Sequence, residues 1–170
     1  MDADTLPSFF ITGLKDAHAL EHQALALMDR QLNHLEHYPE VSQRLREHCG
    51  ETEGQIRRLE QILGTFDVGP SMLKDTTMAI GGNLAALAHV FAPDEIIKNS
   101  FANFAFENFE AASYTSLITV ADLGGFQTAR PLLEQTLDEE KRMASWIEEH
   151  TADITRQYLQ RRSAGETASH

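Results

Sequence analysis

FANFAFENFEAASYTSLITVADLG, residues 101–124, decides how the chain is read. Nearly every residue in it is aromatic, aliphatic or small, yet Glu107 and Glu110 sit there three positions apart. On a helix, Ser100, Asn103, Glu107, Glu110, Tyr114, Leu117 and Ala121 fall on one stripe. Both carboxylates therefore point the same way, beside Phe101, Phe104 and Ile118. An unpaired charge is costly to bury. The stripe is thus either a solvated helix edge or a place where the charges meet a cation in the core.

The helical period continues on either side of this segment. Only five prolines and ten glycines occur, mostly between long periodic stretches, and no run of strand length alternates with period two. The spacing predicts helices from about Leu6 to His37, Glu40 to Gly64, Met72 to Phe91, Pro93 to Leu123 and Gln127 to Leu159. Pro39 breaks the first and suits the opening turn of the second. Ser71 can cap the third, which Gly81 and Gly82 weaken, and Gly124 and Gly125 supply the stop and turn before the last.

Four of these helices form an all-α antiparallel bundle. The helix from 72 to 91, at about 30 Å, carries the chain between its ends, which is the long crossover of ferritin-like topology. One domain is expected over residues 1–160, with RRSAGETASH at 161–170 as a disordered tail.

Composition narrows the function classes. A formal net charge of -12 opposes binding to nucleic acid or to anionic lipid. No uninterrupted apolar run of about 18 residues is present, so no membrane span is expected. The acidic start MDADTLPSFF does not resemble a signal peptide, and a single cysteine, Cys49, suits a reducing compartment, so a cytoplasmic location is expected.

The anomaly of residues 107 and 110 recurs on the other bundle helices. Glu21 interrupts the apolar face of Leu14, Ala17, Ala24 and Met28. In HCGETEGQ, residues 48–55, the large apolar residues give way to His48, Glu51 and Gln55 on one side. The two glycines there suggest close backbone approach or a polar core site. Glu140 falls on the stripe of Leu133, Leu137, Ala144 and Ile147, and Glu139 on the next. Glu140 is taken as the inward one, Glu139 as a surface partner of Lys141 or Arg142. Tyr114 is expected in the core with its hydroxyl on a carboxylate.

Glu21, Glu51, Glu107, Glu110 and Glu140 together need protons or cations. Two divalent ions bridged by glutamates are the usual solution in a helical bundle. Hard oxygen donors suit iron or manganese, with zinc also acceptable. His48, Gln55 and Glu139 are subsidiary candidates, and Glu51 and Glu110 the expected bridges.

LKDAHALEHQ, HCGETEGQIRRLEQIL, FENFEAASYTSL and LLEQTLDEEK resemble the corresponding stretches of the YciE/YciF family of ferritin-like, stress-associated bacterial proteins. The resemblance runs from about Leu6 to Glu149. It implies a ferritin-like bundle with a carboxylate-rich di-metal site, usually considered di-iron, and often a homodimer. The wider rubrerythrin and ferritin group places a glutamate on the first helix, Glu-x-x-His on the second, Glu-x-x-Glu on the third and Glu-x-x-His on the last. Glu21, Glu51 and the Glu107/Glu110 pair match. Gly54 and Met143 stand where the histidines are expected.

The first functional expectation is a di-metal stress-response protein whose iron reacts with peroxide or dioxygen. The second is a non-catalytic helical stress or interaction protein, acting as a dimer, with a structural or vestigial metal site. A cage-forming iron store is a third.

Overall fold

The computed structural model describes residues 5–69, 73 and 96–168. The predicted crossover helix over 72–91, Leu73 excepted, lies outside the described residues, as do His89 and the predicted helix start at Pro93. Four long helices account for most of the rest: α1 Thr5–Leu32, α2 Pro39–Gly64, α3 Ile96–Gly124 and α4 Arg130–Ser163. Among the described residues there is no strand.

Each helix packs against two others. α1 lies between α2 and α3, and α4 between the same two. Gln31 meets Asn103 near one end of α1, while a Cβ on Gly13 near its other end would come 2.9 Å from Leu117. α1 and α3 therefore run antiparallel. So do α2 and α4, because Gln55 meets Glu139 and Glu40 meets His150. α2 ends among Phe10, Leu63 and Val68, whereas α3 begins at Ile96 among Met28, Leu35 and Tyr38. The chain thus leaves one end of the bundle and re-enters at the other, a separation of about 40 Å for helices of this length.

The bends are built from local contacts. α1 stops five residues before the predicted His37 because Leu35 and Tyr38 turn inward and are buried. The bonds His34 N–H to Gln31 O and Tyr38 N–H to Leu35 O close that turn. Between α3 and α4, Gly125 takes φ 71°, a conformation that favours glycine. Phe126 then folds back, stacking on Phe10 at 4.8 Å and meeting Phe66 edge-on at 5.2 Å. This return delays α4 to Arg130 rather than Gln127.

Residues 161–168 also differ from the sequence expectation of a loose tail. α4 continues to Ser163, and Gly165 at φ 72° reverses the chain. Arg161 donates to Thr167 O and pairs with Glu166 at 3.3 Å, and the Tyr38 hydroxyl donates to Ala168 O at 2.5 Å. A basic side chain and a buried phenol tie the segment down.

The apolar core falls into two clusters. Phe10, Leu14, Leu59, Leu63, Leu117 and Leu133 fill one half of the bundle. Met28, Tyr38, Leu45, Ile96, Met143 and Ile147 fill the other. Phe10 is fully buried and holds both Phe66 and Phe126. Phe10→Ala is expected to lower the unfolding free energy by about 3–5 kcal/mol in urea titration, and a loss under about 1 kcal/mol would contradict this packing.

Candidate metal centre

Polar side chains from all four helices occupy the space between the two apolar clusters. The inward stripe of α1 contributes Glu21, that of α2 His48, Thr52 and Gln55, that of α3 Glu107 and Glu110, and that of α4 Glu139 and Glu140; all are buried. Spacings of three and four keep each set on one helix face. Neither central glycine of α2 serves backbone approach: the space around Gly50 is open, and a Cβ on Gly54 would meet only arginine side chains.

Two groups of ligand-type atoms emerge, each within 4.8 Å throughout: His48, Glu107 and Glu140, and Glu21, Glu110 and Glu140. Glu140 belongs to both. Glu21, Glu107, Glu110 and Glu140 thus come together as the sequence suggests, and His48 joins them. Glu51 does not enter either group. Its Oε2 accepts from Arg44 and His48 Nδ1, at 3.1 and 2.8 Å, and its Oε1 lies 3.6 Å from Arg142.

His48 is therefore held from both sides. Nδ1 faces Glu51, and Nε2 lies 3.0 Å from Glu107 Oε2 and 3.9 Å from Glu140 Oε2. A carboxylate on one ring nitrogen fixes which way the other points.

Glu139 corrects the expectation from sequence, which puts it on the surface with Lys141 or Arg142. It is buried and accepts from Arg58 and from Gln55, the latter at 3.2 Å. Arg58 also donates to Thr136 Oγ1 at 3.0 Å. Sequence reasoning misses Arg58, although it follows Gln55 by one turn toward the same interior. Gln55 donates to Glu140 Oε1 as well. Tyr114 is buried and donates to Glu21 Oε1, as its place one turn beyond Glu110 suggests.

The carboxylates divide into compensated and uncompensated ones. Glu51 and Glu139 have arginine partners. By contrast Glu21 Oε2, Glu110 Oε1 and Glu140 Oε2 are buried with no hydrogen-bond donor among the described residues. Burial raises Glu21 to about 8 and lifts Glu110 and Glu140 well above the usual carboxylate range, their mutual repulsion adding to it. For His48, burial opposes the charge, but Glu107 and Glu51 outweigh it and raise the ring to about 9. For Glu51, burial is likewise outweighed, here by His48 and Arg44, which lower it to about 2. Buried, donorless oxygens converging from three helices fit a divalent cation, whose charge would supply what the protein withholds.

Comparison with known proteins places this geometry in context. Residues 5–160 match the family described as "Domain of unknown function (DUF892)". The protein YciF of Escherichia coli K12 is 30% identical over 151 residues, spanning 83% of this chain and 87% of its own. A crystal structure from Xanthomonas campestris pv. campestris superposes with TM-score 0.77 at 27% identity, covering 94% of this chain and 99% of that one. The structure of the E. coli stress protein YciF gives TM-score 0.72 at 24% identity over 88% and 96% of the two chains, which speaks for the fold.

Within the centre the titrations share one direction at neutral and alkaline pH, opposed outside it by His18, which burial lowers. Glu21, Glu110, Glu140 and His48 all have raised pKa values. Such groups contribute stability in full below their unfolded values, and it is lost as pH rises through the folded ones. Glu51, lowered, acts only at the acid end, where its contribution disappears as pH falls toward 2. The urea midpoint of the metal-free protein is expected to fall steadily between about pH 5 and about pH 9. A flat or rising profile there would contradict the buried carboxylate cluster.

Proposed function

The chain belongs to the family described as DUF892, and from that premise we propose that it is a di-metal carboxylate protein of the stress response, binding two divalent ions and reacting with peroxide or dioxygen. The observation that carries this reading is the set of donorless buried oxygens on Glu21, Glu110 and Glu140. Oxygen-rich donors with one imidazole favour iron or manganese over softer metals, with zinc also able to fit. The stress context comes from the E. coli relative YciF, which is described as a stress protein.

The chain's residues take distinct parts. Glu21 and Glu110 would hold one ion and His48 and Glu107 the other, with Glu140 shared by the two groups. Glu51 is a positioning residue: it accepts from Nδ1 of His48 and leaves Nε2 toward the centre. Binding an ion at Nε2 requires His48 to release a proton. Tyr114 orients Glu21 through its hydroxyl, and Gln55 orients Glu140. Arg58 neutralises Glu139 and so keeps a further negative charge from repelling the cluster. When bound, redox-active ions would supply electrons and Lewis acidity to a small oxidant. The apolar clusters on either side exclude bulk water and strengthen the local electrostatics.

A second reading is a non-catalytic protein in which the metals brace the bundle and a homodimer surface carries the function. Gly54 and Met143, standing where group members carry histidine, favour it. So do Phe101 and Phe109, which project from α3 with 55% and 58% of their surface exposed. Both readings are proposed for the cytoplasm.

Anaerobic ferrous titration of metal-free protein, followed by peroxide, tests the choice. About two ions per chain and peroxide-dependent oxidation are expected. Glu140→Gln should abolish binding of both ions yet raise metal-free stability at alkaline pH, because it removes an acid whose ionisation burial opposes. Glu51→Gln should weaken binding about 10–100-fold through His48. Binding without peroxide reactivity would select the second reading, and unaltered binding in Glu140→Gln would sink the site.

A further inference from the structure

A cavity of about 320 Å³ opens between α1 and α3 on the flank of the centre, and Glu107 forms part of its wall. Ala24, Leu27, Met28, Ala102 and Phe106 give it an apolar side, while Gln31, Asn33, Asn99 and Asn103 bring amides to its wall, of which Gln31 and Asn103 face each other across it. Those amides bond each other reciprocally: Gln31 Nε2 donates to Asn103 Oδ1 at 3.1 Å, and Asn103 Nδ2 donates to Gln31 Oε1 at 2.8 Å. A donor and an acceptor thus stand side by side on each edge. The space far exceeds what dioxygen or peroxide needs, since a water's share of liquid volume is about 30 Å³. A cavity of this size with an apolar side and converging polar groups has the character of a small-molecule site.

We propose that this cavity binds a small uncharged organic molecule that carries a hydrogen-bond donor and acceptor side by side, a primary amide being the simplest, and presents it to the Glu107 edge of the metal centre. The second clause rests on the di-metal reading; the first does not. Such a molecule can part the Gln31–Asn103 pair and satisfy both amides in its place, so no buried polar group is left unmet. Its apolar body lies against Met28, Leu27 and Phe106, where Phe106 offers an aromatic face or edge. A charge of either sign must shed its water to enter, an anion is repelled by Glu107 at the inner end, and a cation there finds Glu107 already engaged by His48 at 3.0 Å. The pocket therefore selects for neutrality and for the amide-like edge, and it sets the bound molecule next to a side chain that also lies 3.0 Å from His48.

Methyl NMR of methionine-labelled protein tests the proposal with benzamide as probe. Met28 lines the cavity, whereas Met143 lies in the same apolar cluster without lining it. Benzamide is expected to shift the Met28 methyl saturably and leave Met143 nearly unmoved, while benzoate and benzylamine bind at least about tenfold more weakly. Ala102→Trp should fill the cavity and abolish the shift. Gln31→Leu combined with Asn103→Leu keeps the side-chain volume and should weaken benzamide about three- to tenfold without weakening toluene. A Met28 shift that does not saturate, or equal affinity in wild type and the leucine pair, would overturn the pocket. Manganese(II) stoichiometry measured on the same samples reports separately on the metal centre, so benzamide binding without manganese would sink the metal reading and leave the pocket standing.

Discussion

Four carboxylates forced together between two apolar half-cores are the constraint on which this bundle depends. Glu21, Glu107, Glu110 and Glu140 come from α1, α3 and α4, and α2 answers them with His48. In the metal-free state the repulsion among Glu21, Glu110 and Glu140 is relieved by holding protons, so the fold is most stable when the centre is most fully protonated. A pair of divalent cations would reverse that preference and turn the same cluster from a cost into a brace.

The arginines explain why this centre is smaller than a count of inward acids suggests. Arg44 and Arg142 engage Glu51, and Arg58 engages Glu139, so two of the interior or half-buried carboxylates are already neutralised by the protein. Glu51 then acts on the centre through His48. On the di-metal reading, His48 at i−3 of Glu51 would stand in for the histidine that Gly54 does not provide, and Gly54 leaves room for the Arg58 guanidinium.

Much of this was legible in the sequence, because helices write their buried faces at intervals of three and four. The stripe through Glu107, Glu110 and Tyr114 needs no tertiary information to be seen, and the proline and glycine positions mark the bends. Partners across the bundle are a different matter. Whether Glu139 faces Arg58 or solvent depends on the rotation of α4 about its axis, and two adjacent residues differ by about 100° on that circle. Glu51 has the same ambiguity: its stripe touches the centre, but Arg44 at i−7 and Arg142 from α4 draw it to the margin. The contacts of residues 161–168 are not legible in the sequence, because a small polar composition does not reveal that Tyr38 needs an acceptor.

Anomalous diffraction from crystals grown with manganese(II) tests the central claim most directly. The account predicts two anomalous peaks inside the bundle, one among His48, Glu107 and Glu140 and one among Glu21, Glu110 and Glu140, with Glu140 touching both. Peaks confined to the acidic surface, with the interior carboxylates still sharing protons, would contradict it.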